Sequence, residues 1–333
     1  MQKVKIAVIG TGRIGRIHLE NIANLRDQYE LTYVVDPFNP DLAAIADKYK
    51  IDKFSKDYQD ALSDKEVQAV VIASSTNTHA EIIEAASNAG KAVFCEKPVD
   101  SDIGRIKEIL RIVAKNQTIF QVGFNRRFDH NFKRIHDYVV AGNIGEPQLI
   151  KISSRDPEPP SIDYLKISGG LFSDMMIHDL DMVRYLSNSE VTEVYARGAV
   201  LVNSEIEKVG DIDTAIVSLQ FANGALGVID NSRQAVYGYD QRAEVFGSKG
   251  QATSQNDRLS TVELDTKEGS QLDKIPFFFL ERYAQAYASE LQEFYNCIVE
   301  KKVPFASGID GLKSVELAVA CLKSLKENRP IRL

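Results

Sequence analysis

The feature that most constrains this 333-residue chain is a glycine-rich turn directly after a short apolar run. Residues 4–10 (VKIAVIG) are typical of a buried strand, and the residues after the turn predict a helix to about Leu25. The turn has the pattern GxGxxG and consists of Gly10, Thr11, Gly12, Arg13, Ile14 and Gly15. Such glycines permit the tight turn, let the backbone approach a diphosphate and let the helix pack on the strand. Glycine turns also occur by chance, but this strand–turn–helix context predicts a dinucleotide site.

A carboxylate ends the next predicted strand, residues 31–36 (LTYVVD). Asp36 lies 21 positions after Gly15, where an acid can accept both ribose hydroxyls of an adenosine. It would repel a 2′-phosphate by roughly 4 kcal/mol at about 4 Å and an effective dielectric of about 20. Residues 37–39 supply no compensating arginine, so NAD is predicted over NADP. The alternative is that Asp36 only opens an Asp-Pro turn.

Strand and helix patterns alternate up to residue 123, which predicts a doubly wound parallel sheet, a Rossmann domain over residues 1–123. The further strands are predicted at 69–74, 92–98 and 118–124, and the further helices at 42–49, 79–90 and 103–115. Gly90 is the predicted stop of the second of these helices.

Residues 124–333 predict a second, α+β domain with an open, mainly antiparallel sheet. Its strands are predicted at 148–156, 191–202, 213–222, 224–233 and 241–253, and its helices at about 174–186, 283–300 and 308–327. Ala222-Asn223-Gly224 predicts a hairpin turn.

Two loops at the carboxyl edge of the first sheet are expected to border the cofactor. The candidates after the strand at 69–74 are Ser74, Thr76, Asn77 and His79, and after the strand at 92–98 they are Glu96 and Lys97. Equally, Thr78 could cap the following helix with Glu81 as its partner. His18, in the first helix, is expected to pack.

Lys97 is also a candidate for the reacting end of the site. An ammonium in this turn would hydrogen-bond a substrate hydroxyl and stabilise a developing alkoxide. A solvated lysine in a turn is an equal alternative. The Lys97–Pro98 bond is a candidate for cis.

A second constellation lies in residues 169–181 (GGLFSDMMIHDLD). Asp174 and His178 would share one helix face, with Asp181 close to it, so that the carboxylate orients a histidine able to act as a base. The carboxylates there, Asp179 included, suit a neutral, hydroxyl-rich ligand. The alternatives are a helix-terminal Asp174 and a packed His178.

Composition excludes several classes. A net charge of −7 without a basic stripe argues against nucleic acid, and no apolar run reaches the roughly 18 residues of a membrane helix. The three cysteines are far apart, so neither disulfides nor zinc is predicted, and no metal is expected. With an apolar run beginning at Val4, a cytoplasmic protein is predicted.

The chain resembles the glucose–fructose oxidoreductase and inositol dehydrogenase family over essentially its full length. The resemblance lies in GTGRIG (10–15), EKP (96–98), GFNRRFD (123–129) and the GG-x-F-x-D-x-x-x-H-D-x-D run (169–181). More narrowly, SRDPEPP (154–160), YGYDQRAEVFGSKG (237–250) and FFFLERYAQAY (277–287) are similar to its inositol 2-dehydrogenase branch.

This resemblance implies NAD-dependent oxidation of a cyclic polyol by a homo-oligomer, often a tetramer, whose second domain also mediates assembly. It implies catalytic roles for Lys97, Asp174 and His178. The implied polyol contacts are Arg127, Arg155, Asp156, Asp174, His178, Tyr237 and Tyr283. Some relatives carry histidine and asparagine where Ser154 and Asp156 stand here, which leaves the cyclitol open.

The predicted reaction is oxidation of myo-inositol to 2-keto-myo-inositol with reduction of NAD. Within the same chemistry the alternatives are scyllo-inositol, chiro-inositol or an aldose. From a different class, the alternative is a non-catalytic NAD-binding redox sensor.

Overall fold

Six parallel strands form the first sheet of the computed structural model, which describes residues 3–333. In chain order they are β1 (Val4–Ile9), β2 (Tyr29–Val35), β3 (Lys53–Ser55), β4 (Ala69–Ile72), β5 (Ala92–Glu96) and β6 (Phe120–Gly123). Their spatial order is β3-β2-β1-β4-β5-β6, which confirms the predicted doubly wound sheet. Sequence analysis missed β3, which has three residues and no fully buried side chain.

Helices and one 3₁₀ turn connect these strands. They are α1 (Arg13–Asn24), α2 (Leu42–Tyr49), α3 (Tyr58–Ser63), α4 (Thr76–Asn88), α5 (Ile103–Lys115) and the 3₁₀ helix Asn125–Phe128. Gly90 ends the α4 region at φ +71°, as predicted. Ile9 pairs with Val35 and Ile72, and Ile72 pairs with Cys95, so β1, β2, β4 and β5 end at one edge. The candidate cofactor residues lie at this edge, in the loops that leave it, at the end of β5 and in the first turns of α1 and α4.

The second sheet has seven strands in the order β12-β11-β7-β10-β9-β8-β15. The remaining elements are α6 (His130–Val140), β7 (Pro147–Arg155), α7 (Ile162–Leu165), α8 (Leu171–Asp174), α9 (Ile177–Ser187), β8 (Val191–Ala199), α10 (Glu205–Lys208), β9 (Thr214–Phe221), β10 (Leu226–Ser232), β11 (Asp240–Gly247), β12 (Gly250–Ser254), β13 (Glu263–Thr266), β14 (Gly269–Leu272), α11 (Phe279–Arg282), α12 (Ala284–Glu300), α13 (Gly308–Glu327) and β15 (Ile331–Arg332). Only the β7–β10 pair in this sheet is parallel, which confirms the mainly antiparallel sheet. Gly224, at φ +88°, closes the predicted hairpin between β9 and β10.

Two predicted elements are divided in the structure. The strand expected at 241–253 is a hairpin of β11 and β12, because Ser248 and Lys249 form a turn that Gly250 completes at φ +158°. The helix expected at 174–186 is replaced by α8 and α9, with a break at Met175 and Met176.

The chain divides into two compact units, and the first extends beyond the sheet domain. It runs to Phe128 and also includes residues 286–313, while the second comprises 129–285 and 314–333. The first domain predicted for residues 1–123 therefore lacks residues 286–313, which belong to the first unit. Within the first unit, the Tyr29 hydroxyl donates to the Leu291 carbonyl at 2.7 Å, and the Phe294 ring packs edge-on against Phe94. These contacts are separated by most of the chain, so local patterns could not reveal them.

Within residues 3–333, no helix combines the length and apolar composition that a membrane crossing requires.

Candidate active site

The three glycines of the GxGxxG turn are required for three different physical reasons. Gly10 has φ +96°, and a Cβ there would lie 2.5 Å from the Ala73 carbonyl oxygen beyond β4. A Cβ at Gly15 would lie 2.0 Å from the Gly10 carbonyl oxygen, so this glycine allows α1 to pack onto the turn. Gly12 has an ordinary φ of −65°, and a Cβ there would meet nothing within 4 Å. Neither backbone conformation nor packing within the chain explains the glycine at position 12.

The open space at Gly12 fits the diphosphate of a dinucleotide. Gly12 is the N-cap residue of α1, no side chain caps this end, and no acidic residue lies in the first turn. The amide groups and the positive end of the helix dipole are therefore available to an anion that approaches the backbone closely. The chain thus fits the bound cofactor at the predicted place.

Asp36 is held as an anion by the loops around it. Its Oδ2 accepts hydrogen bonds from the Thr11 amide at 2.8 Å and the Thr11 hydroxyl at 2.7 Å, and its Oδ1 accepts from the amides of Phe38 and Asn39. Partial burial raises the pKa of Asp36, but these hydrogen bonds outweigh it, and the net pKa lies below its usual value. The fixed negative charge opposes a 2′-phosphate at this position.

The loop after β4 differs from the predicted capping arrangement. Helix α4 begins at Thr76, so Thr78 lies inside its first turn, where its hydroxyl donates to the Ser75 carbonyl and accepts from the Ser74 hydroxyl. Glu81 accepts a hydrogen bond from the Tyr58 hydroxyl. The Thr78–Glu81 capping box was therefore wrong.

His79 is buried and ties two loops together. Nδ1 lies 2.8 Å from the Pro98 carbonyl oxygen and Nε2 lies 3.1 Å from that of Ser74. Burial lowers the pKa of His79, and a neutral imidazole donates to only one of these carbonyls. The ring thereby joins α4 to the segment that carries Lys97. Cofactor contacts by His79, Ser74, Thr76 and Asn77 stay predictions.

Lys97 directly follows β5 and is partly buried, and the Lys97–Pro98 peptide bond is cis, as predicted. Glu96, the last residue of β5, has its Oε1 2.7 Å from Nε2 of His18 on α1, and cofactor contact by Glu96 or Lys97 stays a prediction. His18 also packs edge-on against the rings of Phe94 and Tyr287, so the predicted packing role is confirmed but incomplete.

Glu290 on α12 completes a buried cluster that sequence analysis missed. His18, Glu96 and Glu290 place their potential ligand atoms within 4.8 Å of one another. The 2.7 Å His18–Glu96 distance is that of a hydrogen bond rather than of two ligands sharing an ion. Burial, with the nearby charge of Glu96, raises the pKa of Glu290 well above its usual value. No local signal indicates this cluster, since Glu290 is distant in sequence.

Asp174 and His178 lie on either side of the break between α8 and α9. The Met176 amide bonds to the Leu171 carbonyl five residues back, which widens the turn by one residue. Asp174 and His178 are partly exposed, whereas every other residue of α9 is buried. The expectation of a single continuous helix face was wrong, but both side chains remain on the accessible side of this segment.

The Asp174 carboxylate has defined neighbours on both oxygens. Its Oδ1 accepts a hydrogen bond from the Tyr164 hydroxyl at 2.8 Å, and its Oδ2 lies 3.5 Å from Nη1 of Arg233. Asp179 and Asp181 are buried instead, the first accepting from Asn231 and the second 3.9 Å from Arg184. They anchor α9, so the expectation that these two carboxylates face a ligand was wrong.

The implied polyol contacts lie in varied surroundings. Arg127 is buried and donates to the Phe305 carbonyl at 2.8 Å, with Asp310 at 2.9 Å, so it ties the 3₁₀ helix to the Phe305 loop and to the first turn of α13. Tyr283 is buried against Tyr239, whereas Tyr237 is 55% exposed. All three stay predictions as substrate contacts.

Arg155 lies on the sheet face opposite α9. Its neighbour Ser154 is buried beside Asn231, which bonds to Asp179 of α9. Successive strand residues point to opposite faces, so Arg155 lies on the other face, where it bonds to Asp230. The Asp156 amide continues the backbone pairing to Ser232. Substrate contact by Arg155 or Asp156 stays a prediction.

Comparison with known proteins agrees with this geometry. Residues 4–124 match the oxidoreductase family with an NAD-binding Rossmann fold, and residues 132–253 match the GFO/IDH/MocA C-terminal domain. The chain belongs to the GFO/IDH/MocA family. It is an NAD-dependent oxidoreductase, as predicted.

Its relatives cover the full chain. It is 47% identical to an uncharacterized oxidoreductase, YrbE, from Bacillus subtilis, with 100% of this chain and 97% of the relative covered. It is 46% identical to a myo-inositol 2-dehydrogenase from Thermotoga maritima, with 99% and 98% covered. A crystal structure of scyllo-inositol dehydrogenase from Lactobacillus casei, with NAD(H) and scyllo-inositol bound, superimposes with a TM-score of 0.93 at 30% identity, covering 99% of each chain.

Gly12→Ala should weaken NAD binding without unfolding the protein. The added methyl group meets no protein atom but occupies the space proposed for the diphosphate, and overpacking of about 1–3 kcal/mol corresponds to roughly 5- to 150-fold in affinity. Titration of NAD by calorimetry measures this loss. As the matched control, Gly15→Ala should lower the unfolding temperature, because its Cβ would collide with the turn. Unchanged NAD affinity in Gly12→Ala would contradict the assignment.

Glu290→Gln should flatten the decline of stability with increasing pH. Folded Glu290 retains a proton that the unfolded chain releases above about pH 4.3, so its contribution to stability falls as pH rises from there toward the raised folded pKa. Glutamine keeps the shape without this linkage. Urea unfolding at pH 5 and pH 8 compares the variant with wild type, and Glu293→Gln on the same helix is the partly exposed control. Identical pH dependence of wild type and Glu290→Gln would show that Glu290 is not a buried neutral acid.

Proposed function

We propose that the chain oxidises a cyclic polyol with NAD, and that its substrate is myo-inositol, converted to 2-keto-myo-inositol. The observation that carries this proposal is the accessible pair Asp174 and His178 within an otherwise buried segment, at the motif positions of an inositol dehydrogenase family. The Thermotoga maritima relative, named a myo-inositol 2-dehydrogenase, supports the same substrate.

The proposed chemistry assigns one role to each of three side chains. The His178 imidazole takes the proton of the reacting hydroxyl, as the unprotonated ring nitrogen of a neutral histidine can. The Lys97 ammonium donates a hydrogen bond to the same oxygen and stabilises negative charge as it develops there. Asp174 accepts a hydrogen bond from a neighbouring hydroxyl and holds the ring in register. NAD, when bound, accepts the hydride that leaves the carbon as the carbonyl forms.

A neutral, hydroxyl-rich ring suits Asp174 for an electrostatic reason. The Tyr164 hydroxyl already occupies one oxygen as a donor, and the carboxylate can accept further donors such as ring hydroxyls. An anionic substrate would instead be repelled by this group.

scyllo-Inositol is the second candidate substrate. The Lactobacillus casei relative is named a scyllo-inositol dehydrogenase, and the resemblance to the family leaves the cyclitol open at Ser154 and Asp156. The two isomers differ in the orientation of a single hydroxyl and give the same ketone, so one active site could discriminate between them only by that hydroxyl.

The proposal is tested by mixing the purified protein and NAD with a panel of myo-, scyllo- and chiro-inositol, glucose and other aldoses, and following NADH absorbance. The highest kcat/KM is expected with myo-inositol. A clear preference for scyllo-inositol would assign the second candidate, and tight NAD binding without turnover of any polyol would favour the redox sensor. The homo-oligomer, the tetramer and the cytoplasmic location remain predictions.

His178→Ala should lower kcat by roughly 10²–10⁴-fold, which is the usual contribution of a general base. NAD affinity should change little, because the residue has no role in the cofactor site. Steady-state kinetics with NAD titration as the control measure both quantities. Turnover equal to wild type would mean that another group takes the proton.

Asp36→Asn should weaken NAD binding and reduce discrimination against NADP. The amide removes the negative charge that repels a 2′-phosphate while keeping the size of the side chain. The ratio of kcat/KM for NAD to that for NADP measures the effect, and an unchanged ratio would refute the role of Asp36.

A further inference from the structure

Arg233 is a buried cation placed between two carboxylates of the second unit. It directly follows β10, and its side chain is 1% exposed. Its Nη1 lies 3.5 Å from Oδ2 of Asp174, and its Nη2 lies 3.6 Å from Oδ2 of Asp211. Within residues 3–333, Nε and Nη2 of Arg233 and Oδ2 of Asp211 make no hydrogen bond. The guanidinium is thus held by charge between the carboxylates rather than by a saturated hydrogen-bond network.

Stability alone does not explain such an arrangement. Removing an arginine and its counter-ions from water costs several kcal/mol for each ion, and well-packed apolar residues are often at least as stable in the same place. Donors left unbonded in the interior add to that cost. A buried, incompletely bonded arginine next to an accessible carboxylate therefore points to a role in placing that carboxylate.

Asp211 connects this cation to the start of α8. Its Oδ1 accepts a hydrogen bond from the Leu171 amide at 2.9 Å, so it caps the first turn of the helix. Gly170, at φ +83°, allows this approach, because a Cβ there would lie 2.9 Å from the same oxygen. Asp174 is the last residue of α8. The Asp211–Arg233 pair thereby fixes both ends of this one-turn helix.

We propose that Arg233 is a positioning residue, with Asp211 as its counter-anion, that holds the Asp174 carboxylate in the orientation needed to accept a substrate hydroxyl. This proposal rests on the proposed function. Arg233 and Tyr164 lie on different oxygens of Asp174, so together they restrict rotation of the carboxylate. Arg233 acts through Asp174 and does not itself contact the substrate.

Arg233→Lys is the primary variant, because it keeps the charge but loses the planar fork that spans both carboxylates. The measurement is the dissociation constant of myo-inositol from the enzyme–NADH complex, followed by NADH fluorescence, which needs no turnover. We expect it to rise about 10- to 100-fold, the range produced by loss of a hydrogen bond to a charged group. NAD affinity should stay at the wild-type value.

The decisive comparison repeats Arg233→Lys in an Asp174→Asn background. If Arg233 acts through Asp174, Arg233→Lys should add little to the loss of cyclitol affinity that Asp174→Asn already causes. A structural role would give the same additional loss in both backgrounds, with a parallel fall in NAD affinity. Arg184→Lys is the matched control, since Arg184 is also a buried arginine of this unit but lies beside Glu190 and Asp181 rather than Asp174, and it should leave cyclitol binding unchanged.

The positioning role would be overturned if Arg233→Lys bound the cyclitol with wild-type affinity. It would also be overturned if Arg233→Lys caused the same loss of affinity in the Asp174→Asn background as in the wild type. Should Arg233→Lys fail to fold, Asp211→Asn replaces it. We expect Asp211→Asn to cause a smaller loss of cyclitol affinity, and this loss should vanish in the Asp174→Asn background. Full additivity of Asp211→Asn and Asp174→Asn would again overturn the positioning role. Failure of the proposed function is a separate result, because it appears as wild-type protein that turns over no polyol.

Discussion

The contact of the Gly10–Gly15 turn with the ends of β2 and β4 is the constraint on which the cofactor half of the structure depends. The Gly10 amide bonds to the Val35 carbonyl, and the Ala73 amide bonds to that of Ile9, so the turn is fixed to the strand ends on both sides. Side chains at Gly10 or Gly15 would push α1 away from the sheet. Once α1 is seated, Thr11 meets Asp36, and the amide groups of the helix are left open at Gly12.

The proposed catalytic side chains are accessible, whereas the charged and titratable groups that pack near their segments are buried. Lys97, Asp174 and His178 are partly exposed, which their proposed contact with a substrate requires. Glu96, which precedes Lys97, pairs with His18 beside Glu290, whose pKa burial raises, and next to Asp174 the buried Arg233 lies between two carboxylates. In both units, buried titratable groups therefore support segments that end in accessible ones. Such polar groups in the interior are costly, which favours a role in fixing geometry over one in stability.

Features encoded locally could be predicted from the sequence, and features made by distant partners could not. The GxGxxG turn, the acid that ends β2, the Gly224 hairpin and the Gly90 helix stop are each specified within a few residues. The separate helix α8 begins at a hydrogen bond from the Leu171 amide to Asp211, which comes from a distant loop. The cluster at Glu96 needs His18 and Glu290 from two other helices, and the return of residues 286–313 to the first unit depends on packing against Tyr29 and Phe94. Spacing along the chain carries no signal for such contacts.

The proposed reaction removes hydrogen from one ring carbon of myo-inositol and transfers it to NAD. Incubation with myo-inositol that carries deuterium at C2, followed by mass spectrometry and proton NMR of the reduced cofactor, tests this claim directly. The account predicts one deuterium at C4 of the nicotinamide, 2-keto-myo-inositol as the ketone, and slower turnover of the labelled substrate in the hydride-transfer step. Reduced cofactor without deuterium, or no reduced cofactor at all, would contradict it.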